Sequence, residues 1–216
     1  MKLRILLTFA LLAGIGIFPV ASFSAPNTPE ATPATTPPPK RFNFADVRRR
    51  AEVLASQPFQ APARSLPDFL KGLDYDQYRD IRFRADKGLW RAEGLPFEVQ
   101  FAPLGFLFVQ PVTINVVGEG ESKPVEYADD LFDYGKNKVP NNLPMDLGFA
   151  GYKVLYPLHT DSHYDEVAVF LGASYFRAVG QKQNYGLSAR CLAIDTGLSK
   201  SEEFPRFREF WLEKPS

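Results

Sequence analysis

The region between Leu147 and Leu212 limits the possible folds most, because short apolar blocks follow one another there with few helix signals. The blocks are LGFAGYKVLYPL, VAVFLGASYFRAVG, YGLSARCLAIDTG and EEFPRFREFWLEK. In the second block, alternate residues form two faces, and neither face is strongly polar. One face holds the odd-numbered residues from Val167 to Tyr175, and the other holds the even-numbered residues from Ala168 to Phe176. This pattern predicts a strand covered on both sides.

Shorter alternating segments precede that region and extend the same interpretation. Apolar and polar residues alternate at 81–84, 97–101, 112–116 and 152–156, with a turn signal at 118–120 and a polar, loop-like interval at 129–144. Short strands with close turns and few helices predict an all-β fold, an antiparallel β-sandwich. We find no internal repeat and no long heptad.

Two short helices are predicted before the strands. Asn43 can cap a helix from Phe44 to about Ser56, since Phe44, Val47, Ala51 and Leu54 recur at helical spacing. Ser65, followed by Pro67 and Asp68, marks a second helix that reaches Leu73.

The amino-terminal residues have the composition of an export signal and a spacer. Residues 1–24 hold Lys2 and Arg4, an apolar run and small residues, which is the plan of a cleaved signal peptide. A membrane anchor is the alternative, but the run is shorter than the roughly 20 residues that a bilayer requires. Residues 25–41 are rich in Pro and Thr and predict an extended linker. The folded block is therefore 42–216, and we expect it outside the cytoplasm, in the periplasm if the family resemblance described below holds.

Charge, histidine and cysteine exclude several classes of protein. Lys plus Arg equals Asp plus Glu at 25 each, so no basic excess favours nucleic acid. His159 and His163 are the only histidines, and they lie in a turn-rich segment that predicts a surface hairpin, so we expect no metal. Cys191 is the single cysteine, and we expect a buried, inert thiol. Nothing indicates a cofactor, and no serine lies in a hydrolase elbow.

Flat rings and guanidinium groups crowd the same carboxyl-terminal blocks. Rings stack on sugars and guanidinium groups donate to hydroxyls, which suggests glycan handling. The candidate sugar-contacting residues with rings or guanidinium groups are Tyr175, Arg177, Tyr185, Arg190 and Trp211. Asp195 is a sixth candidate because it follows a buried-looking strand, where Arg190 or Arg177 would be its partner. Such a pair is as compatible with a structural role as with a sugar contact.

Glycoside hydrolysis would need two carboxyl groups across the scissile bond. The sequence offers Asp146, Asp195, Glu202 and Glu203, with Asp129 and Asp130 less suited because they lie in an apparent loop. One sequence cannot select a pair, so no catalytic residue is assigned.

Four segments also resemble a known family, the periplasmic glucans biosynthesis protein G/D family. They are LGFAGYKVL at 147–155, LGASYFR at 171–177, YGLSARCLAIDT at 185–196 and EFPRFREFW at 203–211. The resemblance implies a galactose-mutarotase-like β-sandwich that works on β-1,2-linked glucan. It also implies that 42–216 is the amino-terminal, truncated portion of a longer domain. One departure is Cys191, where the family pattern has glycine.

The resemblance leaves two functions open. The first is a factor of osmoregulated periplasmic glucan synthesis that binds or processes the nascent β-glucan, with an inverting endo-β-1,2-glucanase as its enzymatic form. The acids of the hydrolytic members would lie beyond this chain. The second is a non-catalytic glycan-binding scaffold that contacts a membrane glucosyltransferase. A sugar epimerase is a weaker idea that rests on fold analogy alone.

Overall fold

A computed structural model describes residues 41–60, 66–140, 143–183 and 186–216, all within the unit Pro39–Ser216. The signal-peptide and linker predictions for 1–24 and 25–41 therefore lie outside the described residues, apart from Arg41. The ten strands are β1 Arg82–Phe83, β2 Glu98–Ala102, β3 Thr113–Gly118, β4 Glu121–Pro124, β5 Phe132–Asp133, β6 Gly151–Thr160, β7 His163–Leu171, β8 Tyr175–Ala178, β9 Leu187–Arg190 and β10 Glu209–Glu213.

In the part of the chain that the structure describes, three α-helices precede the first strand. The predicted first helix is confirmed as α1, Phe44–Ala55, and Asn43 caps it by accepting a hydrogen bond from the Ala45 amide at 2.9 Å. The predicted second helix is shorter than expected, since α2 spans Asp68–Lys71. A third helix, α3 at Tyr75–Asp80, was missed although Asp74 and Gln77 form a capping box at its start.

Five antiparallel strands form the larger sheet in the order β2-β6-β7-β8-β9. The predicted continuous strand from Val167 to Phe176 is wrong, because the chain turns at 172–174 between β7 and β8. Gly172 and Ser174 adopt positive φ of 58° and 51°, which permits the tight reversal. The two faces inferred for one strand therefore belong to two paired strands, with Leu171 opposite Tyr175.

Three strands form the smaller of the two main sheets, in the order β10-β3-β4, while β1 and β5 pair separately as a two-stranded sheet. β3 and β4 are an antiparallel hairpin around the predicted turn at 118–120. β10 pairs with β3 in parallel, with Glu209 opposite Thr113 and Glu213 opposite Val117. This parallel pair departs from the purely antiparallel expectation.

Aromatic side chains fill the space between the two sheets. Tyr152 of β6 and Phe170 of β7 stack at 5.1 Å, and Phe210 of β10 packs edge-on against Tyr152 at 5.0 Å. Phe207 adds a contact to Phe210 at 4.7 Å. The two sheets therefore share one apolar core, and the prediction of a mostly β, sandwich-like fold is confirmed. The galactose-mutarotase-like type remains a prediction.

A second aromatic group includes Phe132, which lies in the interval that was expected to be a loop. Phe132 of β5 is buried and packs edge-on against Phe83 of β1 at 5.5 Å. Phe149 stacks on Phe101 at 4.4 Å. The 129–144 interval thus contains a 3₁₀ turn and a short strand that close this end of the core, so the loop prediction was only partly right.

Over the described ranges, none of the helices has the length and apolarity to cross a membrane.

Candidate functional site

Three of the predicted sugar-contacting residues lie on the outer face of the larger sheet. Tyr175 and Arg190 are direct cross-strand partners, and Arg177 is opposite Ser188 two positions along β8. Their side chains alternate with Phe176, which faces the core and stacks on Phe170 at 6.3 Å. The Tyr175 hydroxyl and the Ser188 hydroxyl are 3.1 Å apart. The fold therefore brings Tyr175, Arg177 and Arg190 onto one surface.

Arg177 is engaged in an ion-pair network on that surface. Its guanidinium group pairs with the Glu166 carboxylate of β7. Lys153 of β6 approaches the same carboxylate at 3.7 Å. Because all three side chains are partly buried, the pairing fixes the Arg177 side chain across three strands.

Arg190 has a different environment at the end of β9. Its Nη1 donates to the carbonyl oxygen of Ala173 at 2.6 Å, and its guanidinium carbon lies 4.4 Å from the centroid of the Phe204 ring. Arg190 is exposed, so the contact is a surface cation–π pair. It connects the edge of the larger sheet to the segment that leads into β10.

Trp211 does not lie beside these residues. It alternates with Phe210, whose ring points into the core, so the Trp211 side chain faces the outer side of the smaller sheet. There its ring stacks on Phe42 at 6.2 Å, next to the start of α1. Trp211 therefore belongs to a different sheet from Tyr175 and Arg190.

The other two candidates are placed differently again. Tyr185 lies outside the described residues. Asp195 was expected in a buried strand beside Arg190 or Arg177, but β9 ends at Arg190 and Leu192 is 54% exposed. Asp195 instead sits in a turn with φ of 60° and pairs with Lys200 at 2.7 Å. Its predicted partner was therefore wrong.

The structure also shows the environments of the cysteine and of the two histidines, which bear on thiol and metal chemistry. Cys191 is exposed, which corrects the prediction of a buried thiol. The predicted hairpin around the two histidines is confirmed, although His159 and His163 lie in the ends of β6 and β7. The hydrogen bond between His159 and Asp165, with ring nitrogen and carboxylate oxygen 3.1 Å apart, holds the pKa of Asp165 below its usual range. Among the described residues, no group of three or more His, Cys, Asp or Glu is placed to hold a metal ion.

A cleft of about 540 Å³ lies next to Arg190, between the end of α1 and the segment before β10. We name it the aromatic cleft. The ring of Phe59 is 85% exposed at this cleft, and Phe204, already in contact with Arg190, also lines it. The polar residues that line the same cleft are Gln57, Gln60, Gln110, Glu203, Arg206 and Arg208. Rings beside amide and guanidinium donors suit a ligand with both apolar faces and hydroxyl groups.

The two sides of the aromatic cleft are tied together. Arg208 donates from Nη1 to the Gln60 carbonyl oxygen at 3.4 Å. On the neighbouring side of α1, Arg50 pairs with Glu209 at 2.6 Å, and Asn115 donates to the other Glu209 oxygen at 3.1 Å. These bonds fix α1 to β10 and hold the walls in place.

A second cleft, of about 730 Å³, runs between α1 and the smaller sheet. It is lined by three carboxylate residues, Glu126, Asp146 and Glu209, and by the ring of Tyr127. Of these, only Asp146 was among the sequence candidates. Glu209 is already held by Arg50 and Asn115, which gives it a structural role at this position.

Sequence reasoning missed the aromatic cleft because its two walls are far apart in the chain. Gln57 to Gln60 follow a helix, and Phe204 to Arg208 precede a strand about 150 residues later, as the 148-residue separation of Gln60 and Arg208 shows. The one available signal was Phe59, an aromatic residue between polar residues and prolines just after a helix end.

Comparison with known proteins gives a consistent result. The family model described as "Periplasmic glucan biosynthesis protein, MdoG" matches residues 42–216. Glucans biosynthesis protein G of Ralstonia nicotianae is 51% identical over 175 residues, which are 81% of this chain and 35% of that protein. The protein of the same name from Bradyrhizobium diazoefficiens is 50% identical over 199 residues, 91% of this chain and 39% of that protein.

A third relative has the same name and a lower sequence identity. Glucans biosynthesis protein G of Dickeya dadantii is 47% identical over 174 residues, 81% of this chain and 33% of that protein. The chain thus spans between 33% and 39% of the length of these curated relatives.

Proposed function

The chain belongs to the periplasmic glucan biosynthesis protein family over residues 42–216, and on this premise we propose that it acts in the synthesis of periplasmic glucans by binding the glucan chain. The observation that carries the proposal is identity of about half over four-fifths of the chain to proteins named for glucan biosynthesis. The finer assignment, a β-1,2-linked backbone bound while it is being made, is part of the proposal.

The aromatic cleft is our proposed contact surface for the glucan. A glucan is uncharged, so its binding needs ring faces and hydrogen-bond donors rather than a net charge. Phe59 and Phe204 supply the rings, and Gln57, Gln110 and Arg208 supply donors. The volume of about 540 Å³ is in the usual range of about 300–1,000 Å³ for small-molecule sites.

Of the five predicted residues that the structure describes, Arg190 is the one that reaches this cleft, through its contact with Phe204. We propose that Arg190 contributes to glucan binding by donating to hydroxyl groups at the cleft margin. Tyr175 and Arg177, on the outer face of the larger sheet, remain predicted glucan contacts. Tyr185 and Asp195 also remain predictions. For Trp211 we propose a structural role, because its ring is stacked under Phe42.

The proposal is tested by titrating the chain with linear β-1,2-glucan oligosaccharides in a calorimeter. We expect Phe59→Ala to weaken binding about five- to tenfold, since a ring contact contributes about 1 kcal/mol. Phe44→Ala is the matched control, because Phe44 is also an exposed phenylalanine, 79% accessible, and does not line the cleft. A folded chain that shows no heat of binding, or equal losses in both variants, would contradict the proposal.

We propose binding rather than cleavage for residues 42–216. A hydrolytic mechanism needs an acid and a base on opposite sides of the bond, and the Glu209 carboxylate of the second cleft is already held by Arg50. We expect no new reducing ends when the chain is incubated with β-1,2-glucan. Their release would instead favour the endo-glucanase alternative.

The proposal includes a location and a partner. We propose export to the periplasm through the signal peptide at 1–24, with 25–41 as the spacer that follows it. A membrane glucosyltransferase is the proposed partner, since the enzyme that makes the glucan must release it to the protein that receives it. Cell fractionation with amino-terminal sequencing of the mature chain tests the first point, and cross-linking to the transferase tests the second.

A further inference from the structure

A third cleft has an unusual concentration of charged side chains. It has a volume of about 670 Å³ and lies between α3, the start of β1 and the loop after β5. Four cationic and two acidic residues line it: Arg79, Arg82, Lys136, Lys138, Asp76 and Asp80. We name it the basic cleft. The whole chain has no net charge, so an excess of two positive charges here is local.

The cations of the basic cleft differ from most others in the described residues in having no acidic partner. Lys87, Arg91, Lys123, Lys200 and Lys214 each form an ion pair with a carboxylate. Within the described ranges, none of the four cleft cations forms such a pair, although Asp76 and Asp80 line the same cleft. Arg79 instead lies over the Tyr75 ring, with its guanidinium carbon 5.5 Å from the centroid. The cleft therefore keeps an excess of two positive charges.

The backbone that presents these cations is fixed. The Asp80 carboxylate accepts a hydrogen bond from the Lys136 amide at 2.6 Å, and Asn137 donates from its side chain to the Gln77 carbonyl at 2.8 Å. These two bonds join α3 to the loop after β5. Gly135 permits the approach, since its φ is 58° and a Cβ there would collide with the Asp80 carboxylate.

One acidic residue of the cleft, Asp80, has a structural role. Asp80 holds the loop, because its carboxylate accepts a hydrogen bond from the Lys136 backbone amide rather than pairing with a cationic side chain. Asn137 donates a second time to the Tyr134 carbonyl at 2.9 Å, which fixes the base of the loop. The arrangement is built before any ligand arrives, which lowers the ordering cost of binding.

We propose that the basic cleft binds a phosphate monoester or a phosphate ion. A phosphate monoester carries about two negative charges near neutral pH, which matches the excess of two positive charges. Arginine side chains offer paired donors to phosphate oxygens, and lysines add point charges. The half-buried ring of Phe69 forms part of the wall and gives the organic portion of an ester an apolar surface.

The ligand could come from two sources that share this chemistry, a soluble phosphate or the headgroup of an anionic lipid. The experiment therefore has three arms with the chain expressed from its full 216-residue sequence. The probes are inorganic phosphate, phosphatidylcholine vesicles that contain phosphatidic acid, and vesicles of phosphatidylcholine alone. Calorimetry measures the first arm and vesicle co-sedimentation the other two, at constant ionic strength with chloride as the reference anion.

The test variant is Arg82→Gln with Lys138→Gln, and the matched control is Arg48→Gln with Arg49→Gln. Both remove two positive charges, but Arg48 and Arg49 lie on α1 and pair with Glu52 and Asp46. We expect saturable binding of phosphate or of phosphatidic acid vesicles, at least tenfold weaker in the cleft variant and unchanged in the control. Lys136→Gln, whose backbone bond to Asp80 is retained, replaces the double variant if that variant does not fold.

The arms distinguish the sources and allow the proposal to fail. Saturable binding of inorganic phosphate that vesicles do not compete for indicates a soluble ligand, and binding only to phosphatidic acid vesicles indicates a lipid headgroup. Equal losses in the two charge-matched variants would show that net charge alone attracts anions. That result, or no saturable binding in either phosphate arm, would overturn the proposal. Glucan titration is independent of all these outcomes.

Discussion

Phe210 of β10 meets Tyr152 of β6 edge to face, with ring centroids 5.0 Å apart and planes at 85°. This contact joins the smaller sheet to the larger one. Phe210 also lies 5.8 Å from Phe170 and 4.7 Å from Phe207, so one ring contacts three others. The packing of the two sheets therefore depends strongly on a residue of β10.

Replacing Phe210 with alanine should destabilise the fold. Loss of a packed phenylalanine from a core costs about 3–5 kcal/mol, and the partial burial of Phe210 places the expected loss at about 2–4 kcal/mol. Urea unfolding followed by tryptophan fluorescence measures the change. Phe44→Ala, on the exposed side of α1, serves as the control and should change the free energy of unfolding little.

Gly151→Ala should destabilise the larger sheet for a different reason. A Cβ at Gly151 would collide with the backbone carbonyl of Phe170, so β6 and β7 would have to separate. Overpacking of this kind costs about 1–3 kcal/mol. Gly118→Ala is the matched control, because a Cβ there meets only the Lys214 side chain at 3.8 Å. Equal unfolding midpoints for the two variants would contradict the close approach.

Alkaline pH should weaken the fold through four phenols. Burial raises the pKa of Tyr78, Tyr127, Tyr134 and Tyr152 above the ordinary value. The folded state therefore keeps protons that the unfolded state releases, so this contribution to stability is complete below about pH 10 and falls as pH rises above it.

The measurement is the urea midpoint at several pH values between about pH 9 and about pH 11, with absorbance to follow tyrosine ionisation. Tyr127 and Tyr134 form the one phenol pair of the group, with hydroxyl oxygens 2.8 Å apart. Their double replacement by phenylalanine should reduce the slope of stability against pH. An unchanged slope would show that these phenols do not contribute.

Asn43→Ala should loosen α1 while leaving the sandwich folded. It removes the cap to the Ala45 amide, and loss of such a cap costs about 1 kcal/mol. Amide hydrogen exchange in the first turn of α1 should become faster, while exchange in β6 and β7 stays slow. Asn43→Asp retains a side-chain acceptor and should preserve the protection of α1, which separates capping from a general effect of mutation.

Much of the sandwich could be predicted because its signals are local. Asn43 stands directly before the apolar periodicity of α1, and the alternation at 97–101 and 112–116 identifies β2 and β3. The turn between β7 and β8 was missed because it has one glycine and no Asn-Gly or Asp-Gly pair. Its positive φ at Ser174 is imposed by tertiary structure, which includes a hydrogen bond from the Ser174 hydroxyl to the Leu192 carbonyl at 3.2 Å.

The site was harder to predict than the fold. Tyr175, Arg177 and Arg190 lie together because β8 and β9 pair in a register that a single sequence does not specify. The sequence does not give the direction of the Trp211 side chain, because that depends on which neighbouring residue faces the core, and here Phe210 does. Exposure of Cys191 and Leu192 follows from the end of β9 at Arg190, where apolar composition alone suggested a buried strand.

The parallel pairing of β10 with β3 has a consequence for how the molecule is made. Its partners are remote in the chain, as the separation of 94 residues between Asn115 and Glu209 shows. Strand pairs between residues so far apart raise the contact order of the fold. The chain must lose much conformational entropy before the pair forms and stabilises it, so folding is slowed. Until β10 is available, the backbone N–H and C=O groups on one edge of β3 have no partner strand. During that interval the chain would be most prone to aggregation and would depend most on a chaperone.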